Sequence, residues 1–305
     1  MSIPHKDLFK VEEYNEHIPL SFSERPEGFV HSVFANGLNI QMGEGLFFMG
    51  TDKNGQLPFG LHLQTSDVHI LVSLIRENDQ VYWDHVKQTL EFKQHGITIT
   101  LSKGRSFMNK LKQQPEKTEI VTQHLDAFLT VLISNDEPTG LGLDVEQFML
   151  DYVGEIHLEQ ESVRRVYDLM DAAVSDDPRH IESTLRYFLG RGKGLTPSGD
   201  DHVVGLLALH TITGALSDAF VEGVKALVYH ETITTDVGKE YLRYALKGEF
   251  SSAVVQIAED LTLENPEELE DHILNLLPMG HSSGVDTSFG MLLGMLALRR
   301  TMNGR

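Results

Sequence analysis

A change of hydrophobic period near residue 105 limits the fold of this chain more than any other feature. Ahead of it, apolar residues alternate with polar ones in short runs; behind it, they recur at threes and fours. A half-buried strand requires the first spacing and an amphipathic helix the second. Phe29 to Phe34 reads as a strand, Asn36-Gly37 as a hairpin turn, and Leu38, Ile40 and Met42 as the apolar face of the returning strand. Further strands are expected at Leu46 to Met49, at Phe59 to Leu63 after Asn54-Gly55, and at Ile97 to Leu101, while the first 25 or so residues read as a polar arm. Beyond the change, Ile120, Val121, Leu125, Phe128, Leu129 and Leu132 mark one helical face. Asp177-Pro178 reads as a helix start and Gly190 as a stop; Asn265-Pro266 opens a helix over Glu267 to Leu277, and a last helix runs from Val285 to Arg300. Strands followed by helices predict an α+β fold, with an N-terminal antiparallel β-rich region and its arm at 1–104 and a mainly α-helical C-terminal region at 105–305.

Composition narrows the function. The 305 residues carry a formal net charge of -20, so no basic stripe is available for nucleic acid or for an anionic membrane surface, and an anionic substrate has to be held by a local patch. With no cysteine, thiolate nucleophiles and cysteine metal sites are excluded. The opening Met1-Ser2-Ile3-Pro4-His5-Lys6-Asp7 lacks the apolar core of a signal peptide and no later run suits a membrane span, so the expectation is a cytoplasmic protein.

Within the helical region, a single pattern occurs twice, Ser-Gly-x-Asp-x-x-x-Gly-x-Leu, from Ser198 to Leu207 and from Ser283 to Leu292. Ser followed three residues later by Asp is a short version of the capping box, and Gly205 and Gly290 lie one turn beyond each Asp, where a missing side chain lets two helices approach. The first copy carries more than capping needs: Gly192, Lys193, Gly194, Thr196 and a second carboxylate, Asp200, beside Asp201. Glycines turn backbone N–H groups toward a ligand, and a helix start with Lys193 nearby suits a phosphate or carboxylate. The aspartates could hold Mg²⁺ against a phosphate or accept hydrogen bonds from an amide NH₂.

Two sharper motifs fit less well. A P-loop places Lys after its second Gly and follows a strand, whereas Lys193 precedes Gly194 and follows a helical pattern. Gly280-His281-Ser282-Ser283-Gly284 matches the Gly-x-Ser-x-Gly nucleophile elbow, which would make Ser282 a hydrolase nucleophile, yet the segment ahead of it patterns as a helix. Of the 15 histidines only His202 and His281 lie near the repeated motif, and His62 and His69 read as strand or turn residues.

Gly192-x-Gly194-Leu195-Thr196-Pro197-Ser198-Gly199-Asp200-Asp201, with the later Ser282-Ser283-Gly284-x-Asp286, closely resembles the family that includes AllH, as does the Val30-His31-Ser32-Val33-Phe34 opening of the β-rich region. The resemblance implies a subunit of oxamate carbamoyltransferase, which moves a carbamoyl group between oxalurate and phosphate in anaerobic allantoin degradation, a branch of purine catabolism. It also implies FdrA-like and AllG-like partner subunits. The reading is a small-anion site with Asp200 and Asp201 as catalytic residues. Gly192, Lys193, Gly194, Thr196, Ser198, Gly199, His281, Ser282, Ser283 and Asp286 are expected to bind the substrate. The alternative is a non-catalytic binding or assembly subunit whose loops serve as helix caps.

Overall fold

A computed structural model describes residues 7–303. Residues 1–6, where the polar arm begins and where no signal-peptide core is found, lie outside the described residues. The chain divides into two compact units at Asn109 and Lys110.

The first unit is a ten-stranded sheet of β1 (Leu8–Lys10), β2 (Glu13–Asn15), β3 (Glu27–Phe34), β4 (Gly37–Met42), β5 (Gly45–Gly50), β6 (Gly60–His62), β7 (Gln80–Asp84), β8 (Thr89–Phe92), β9 (Ile97–Thr100) and β10 (Arg105–Phe107). Helices α1 (Ile18–Glu24) and α2 (Thr65–Leu74) complete it. The strand order is β1-β9-β8-β7-β3-β4-β5-β6-β2-β10. Most neighbours are antiparallel, with parallel pairs at β1/β9, β5/β6 and β2/β10. Phe34 pairs with Gly37, so the β3–β4 turn is Ala35-Asn36, one residue ahead of the expected Asn36-Gly37. The expected polar arm is instead structured from Leu8 onward: Phe9, Val11, Ile18 and Phe22 are buried in the core. Their runs are too short to show a period, and only pairing with distant strands makes them strands. His62 is a satisfied core histidine, its Nε2 accepting from Leu57 N at 3.1 Å while Nδ1 lies 3.2 Å from the Thr51 carbonyl.

The second unit is helical: α3 (Thr118–Gln123), α4 (Leu125–Ser134), α5 (Val145–Tyr152), α6 (Glu161–Ala173), α7 (Pro178–Phe188), α8 (Ser198–Thr213), α9 (Asp218–His230), α10 (Asp236–Ala245), α11 (Ser252–Asp260), α12 (Leu269–Leu276) and α13 (Ser283–Asn303). Helix therefore begins at Thr118 rather than near 105, because β10 and an irregular segment intervene, and the face from Ile120 to Leu132 is shared by two helices that meet at His124. Asp177 caps α7 through Arg179 N at 3.0 Å. Asn265 caps nothing comparable, since α12 starts at Leu269 after Glu268. Arg300 near the end of α13 bonds Asp171 at 3.0 Å.

Helices α8 and α13 form the centre of this unit. Every residue from Ser198 to Leu209 and from Gly284 to Leu298 is buried, as expected of helices surrounded on all sides. Helices α7, α10 and α11 pack on α8, and α3, α4, α6 and α12 on α13. The repeated glycines let the central pair touch. A Cβ on Gly205 would meet the Thr287 carbonyl and lie 2.7 Å from Met291 N, and one on Gly290 would meet the His202 carbonyl, with His202 Cα at 2.9 Å. Among the described residues no helix is long and apolar enough to cross a membrane.

Candidate functional site

Each copy of the repeated motif is a helix start pressed against the end of the preceding helix. Gly190 turns the chain out of α7 with φ +78°, and Gly199 N returns to the Arg191 carbonyl at 2.8 Å. A Cβ on Gly199 would run into the Phe188 carbonyl at the end of α7. In the second copy Gly280 makes the same left-handed turn, φ +66°, and a Cβ on Gly284 would strike the Leu276 carbonyl at the end of α12. The chain ahead of Gly280 is thus the helix α12, not the strand that precedes a nucleophile elbow.

The serines and aspartates of the motif do not behave as a capping box. Helix α8 has Pro197 at its N-cap and no side-chain cap, so Ser198 does not serve as one. The carboxyls reach across to other elements instead. Asp200 takes the Gly190 N–H at 2.7 Å on one oxygen and the Thr234 hydroxyl on the other, tying α8 to the α7 end and to the start of α10. The Ser283 hydroxyl of the second copy stands beside Asp201 and pulls its pKa down, and Ser283 Oγ lies 2.8 Å from Thr196 Oγ1. Asp286 accepts the Gly140 N–H at 2.8 Å. The contact between Thr196 and Ser283 puts the starts of α8 and α13 side by side. With packing at corresponding glycines, the positive ends of both helix dipoles face one set of side chains.

Gly140, in the loop between α4 and α5, lies over that set. A Cβ there would meet Ser198 Oγ, stand 2.5 Å from Ser282 Oγ and 2.9 Å from Asp286 Oδ2. It had no signal in the sequence beyond the paired glycines of Thr139-Gly140-Leu141-Gly142. His202 also belongs here: it is fully buried, with Nδ1 2.5 Å from the Ser198 carbonyl and 3.7 Å from Asp286 Oδ1, and with its ring against Phe289 at 5.3 Å between centroids. A carbonyl can only accept, so Nδ1 carries the proton and Nε2 is the lone-pair nitrogen of the neutral ring.

Burial governs the charges. It raises Asp200 to about 6 against the pull of its bonds from Thr234 and Gly190. It raises Asp201 well above the ordinary carboxyl range, opposed by Ser283 and reinforced by the like charges of Asp286 and Asp200. His202 is held below its usual value by burial, against Asp286 and the Ser198 carbonyl, and therefore stays neutral. Tyr241 on α10 is raised by burial and by Asp201. Three buried polar atoms in this neighbourhood have no hydrogen-bond partner: Asp201 Oδ2, His202 Nε2 and Asp286 Oδ2. Each such atom costs about 1–3 kcal/mol, a price that folding alone gives no reason to retain at three adjoining places.

The other expected site residues surround this cluster at different depths. Ser198 is buried, Thr196, Ser282 and Ser283 are half-buried, and Gly192, Lys193, Gly194 and His281 are exposed. Gly192 and Gly194 take left-handed φ of +124° and +91°, and Gly192 lies against the backbone of Ser198. Among the described residues no group of three or more His, Asp or Glu side chains is gathered as a metal site.

A family model described as "Oxamate carbamoyltransferase subunit AllH" matches residues 188–295, which include both copies of the motif. A second, described as "AllH family N-terminal domain", matches residues 11–106, the span of the sheet. No solved structure matches the chain. With one model on the strands and the other on the central helix pair, the chain belongs to the AllH family, that of a subunit of oxamate carbamoyltransferase.

Proposed function

We propose that this chain contributes the binding site for a small anionic carbamoyl compound, oxalurate, oxamate or carbamoyl phosphate, to a cytoplasmic carbamoyltransferase with FdrA-like and AllG-like partner subunits. The observation that carries this reading is the set of partnerless buried atoms, Asp201 Oδ2, Asp286 Oδ2 and His202 Nε2, where two helix starts meet. A ligand that supplies N–H and C=O groups would satisfy them, and the paired helix starts favour its negative end. Lys193 on the exposed Gly192–Gly194 turn offers a cation in a chain of net negative charge. In this reading Asp201 and Asp286 orient the carbamoyl group, Ser198, Ser282 and Ser283 supply hydroxyls, and Asp200, with both oxygens engaged, holds the α8 start in place.

The reaction breaks the bond between the carbamoyl carbon and the oxamate nitrogen of oxalurate. It forms a bond from that carbon to a phosphate oxygen, and the nitrogen takes up the phosphate proton. Stabilising charge on the carbamoyl oxygen with donors already in place is the contribution such a site makes. The test is phosphate-dependent cleavage of oxalurate by the chain with its partners, comparing wild type with Asp286→Asn. The expected result is loss of activity with the complex intact. Full activity in a folded Asp286→Asn complex would refute the assignment and leave this chain as a non-catalytic assembly subunit.

A further inference from the structure

We infer that Asp201 and Asp286 work as an unlike pair, one presenting a donor and the other an acceptor, that together read the H₂N–C=O edge of the ligand; this rests on the ligand site proposed above. The geometry of the two side chains is matched. Each is buried, 4% and 0% exposed; Asp286 is anchored by the Gly140 N–H at 2.8 Å, and the Ser283 hydroxyl stands beside Asp201. Each leaves its Oδ2 unpartnered. One sits on the first turn of α8 and the other on the first turn of α13, and the contacts of Ser283 and Gly140 draw both to the same end of the helix pair.

No Lys or Arg forms an ion pair with either carboxyl among the described residues. The titratable groups facing them are Asp200 and His202 on α8 and Tyr241 on α10. Two buried carboxyls that sense each other without a cation cannot both ionise, so one keeps its proton. Asp201 is the one that keeps it, since burial, reinforced by the neighbouring charges of Asp286 and Asp200, raises its carboxyl well above the ordinary range.

The pair then presents one O–H donor and one carboxylate acceptor. A carbamoyl or primary amide group presents the complement, an N–H donor and a carbonyl acceptor. A carboxylate ligand of the same size offers acceptors only, so it satisfies Asp201 and repels Asp286. Amide recognition is thereby separated from general anion recognition, which the helix starts alone would provide. Gly140 is required because any side chain there would enter the space in front of Asp286 Oδ2.

The experiment is calorimetric titration of the full-length chain, assembled with its partner subunits, with oxamate and with oxalate. Oxalate replaces the amide by a second carboxylate. Oxamate is expected to bind about 10- to 100-fold tighter, the range of one charge-assisted hydrogen bond made or lost. Two variants with opposite outcomes identify the roles. In Asp286→Asn the side-chain oxygen stays committed to the Gly140 N–H, so an NH₂ faces the ligand NH₂ and the preference for oxamate disappears. In Asp201→Asn the NH₂ takes the place of the acid O–H, so the preference for oxamate over oxalate is retained. Thermal melts confirm that both variants fold, and Gly140→Ala, which keeps both carboxyls, provides an independent loss of oxamate binding. Equal wild-type affinity for oxamate and oxalate would overturn the unlike pair while leaving an anion site. Binding of neither compound would overturn the site itself.

Discussion

Substituting Ala for Gly205 or Gly290 gives a prediction whose sign depends on the contact between the central helices. In an isolated helix Gly→Ala is favourable by about 1 kcal/mol, because Ala loses less backbone freedom on folding. Here the Cβ added by Gly205→Ala would press on the Thr287 carbonyl and lie 2.7 Å from Met291 N and 2.9 Å from Gly290 C, all backbone atoms of α13. None of these can rotate aside. To restore ordinary contact the helices must move apart by about 0.5–1 Å, which forfeits roughly a quarter to a half of the dispersion energy of the atoms that separate. Overpacking of this kind costs about 1–3 kcal/mol or more, so it cancels the helix-propensity gain and the expected net effect is a loss of up to about 2 kcal/mol in each single variant. Because each glycine meets the backbone of the other motif, the double variant should be less destabilised than the sum of the singles, the first having already opened the gap. Urea denaturation of the full chain, followed by far-UV circular dichroism, measures this directly. A gain of about 1 kcal/mol in either single variant would mean that the helices do not touch at these glycines and would refute the packing argument.

Other measurements address the cluster. Asp200 has its pKa raised to about 6, so the folded chain binds its proton more tightly than the unfolded chain does. Stability from this group is therefore fully present below about pH 4 and falls as pH rises to about 6, by about 3 kcal/mol in all. Denaturation across that window should show a downward contribution with rising pH that Asp200→Asn removes; an unchanged slope in the variant would refute it. Asp201, also raised by burial, contributes with the same sign. Gly140→Ala should lower stability by about 1–3 kcal/mol, because its Cβ crowds Ser198, Ser282 and Asp286, while reducing oxamate affinity about tenfold or more, read by melting and calorimetry together. Thr234→Val, which removes a donor from Asp200, should cost about 1–3 kcal/mol at pH 8, where that carboxyl is ionised, and less at pH 5; equal losses at both would argue against the bond.

The sequence by itself determined the fold class, because burial of alternate residues or of every third and fourth leaves a local record in the chain. It also marked the regions that carry the candidate site, since Gly205, Gly290 and the surplus around Ser198 have no local purpose outside close packing or binding. It did not reveal the structure of residues 8–24, whose buried Phe9 and Phe22 depend on partners far along the chain. Ser-x-x-Asp is the same string whether it caps a helix or reaches across to another, and only the pairing of α8 with α13 decided for the second. Likewise Asp200 and Asp201 are neighbours in sequence but about 100° apart around the helix, so one meets Thr234 and the other Ser283. Gly140 lies 146 positions from Asp286, and no local pattern could bring them together. Period and turn chemistry are properties of adjacent residues and can be read in order. Which buried carboxyl lacks a partner is a property of every element that packs around it, and that was decided by tertiary structure alone.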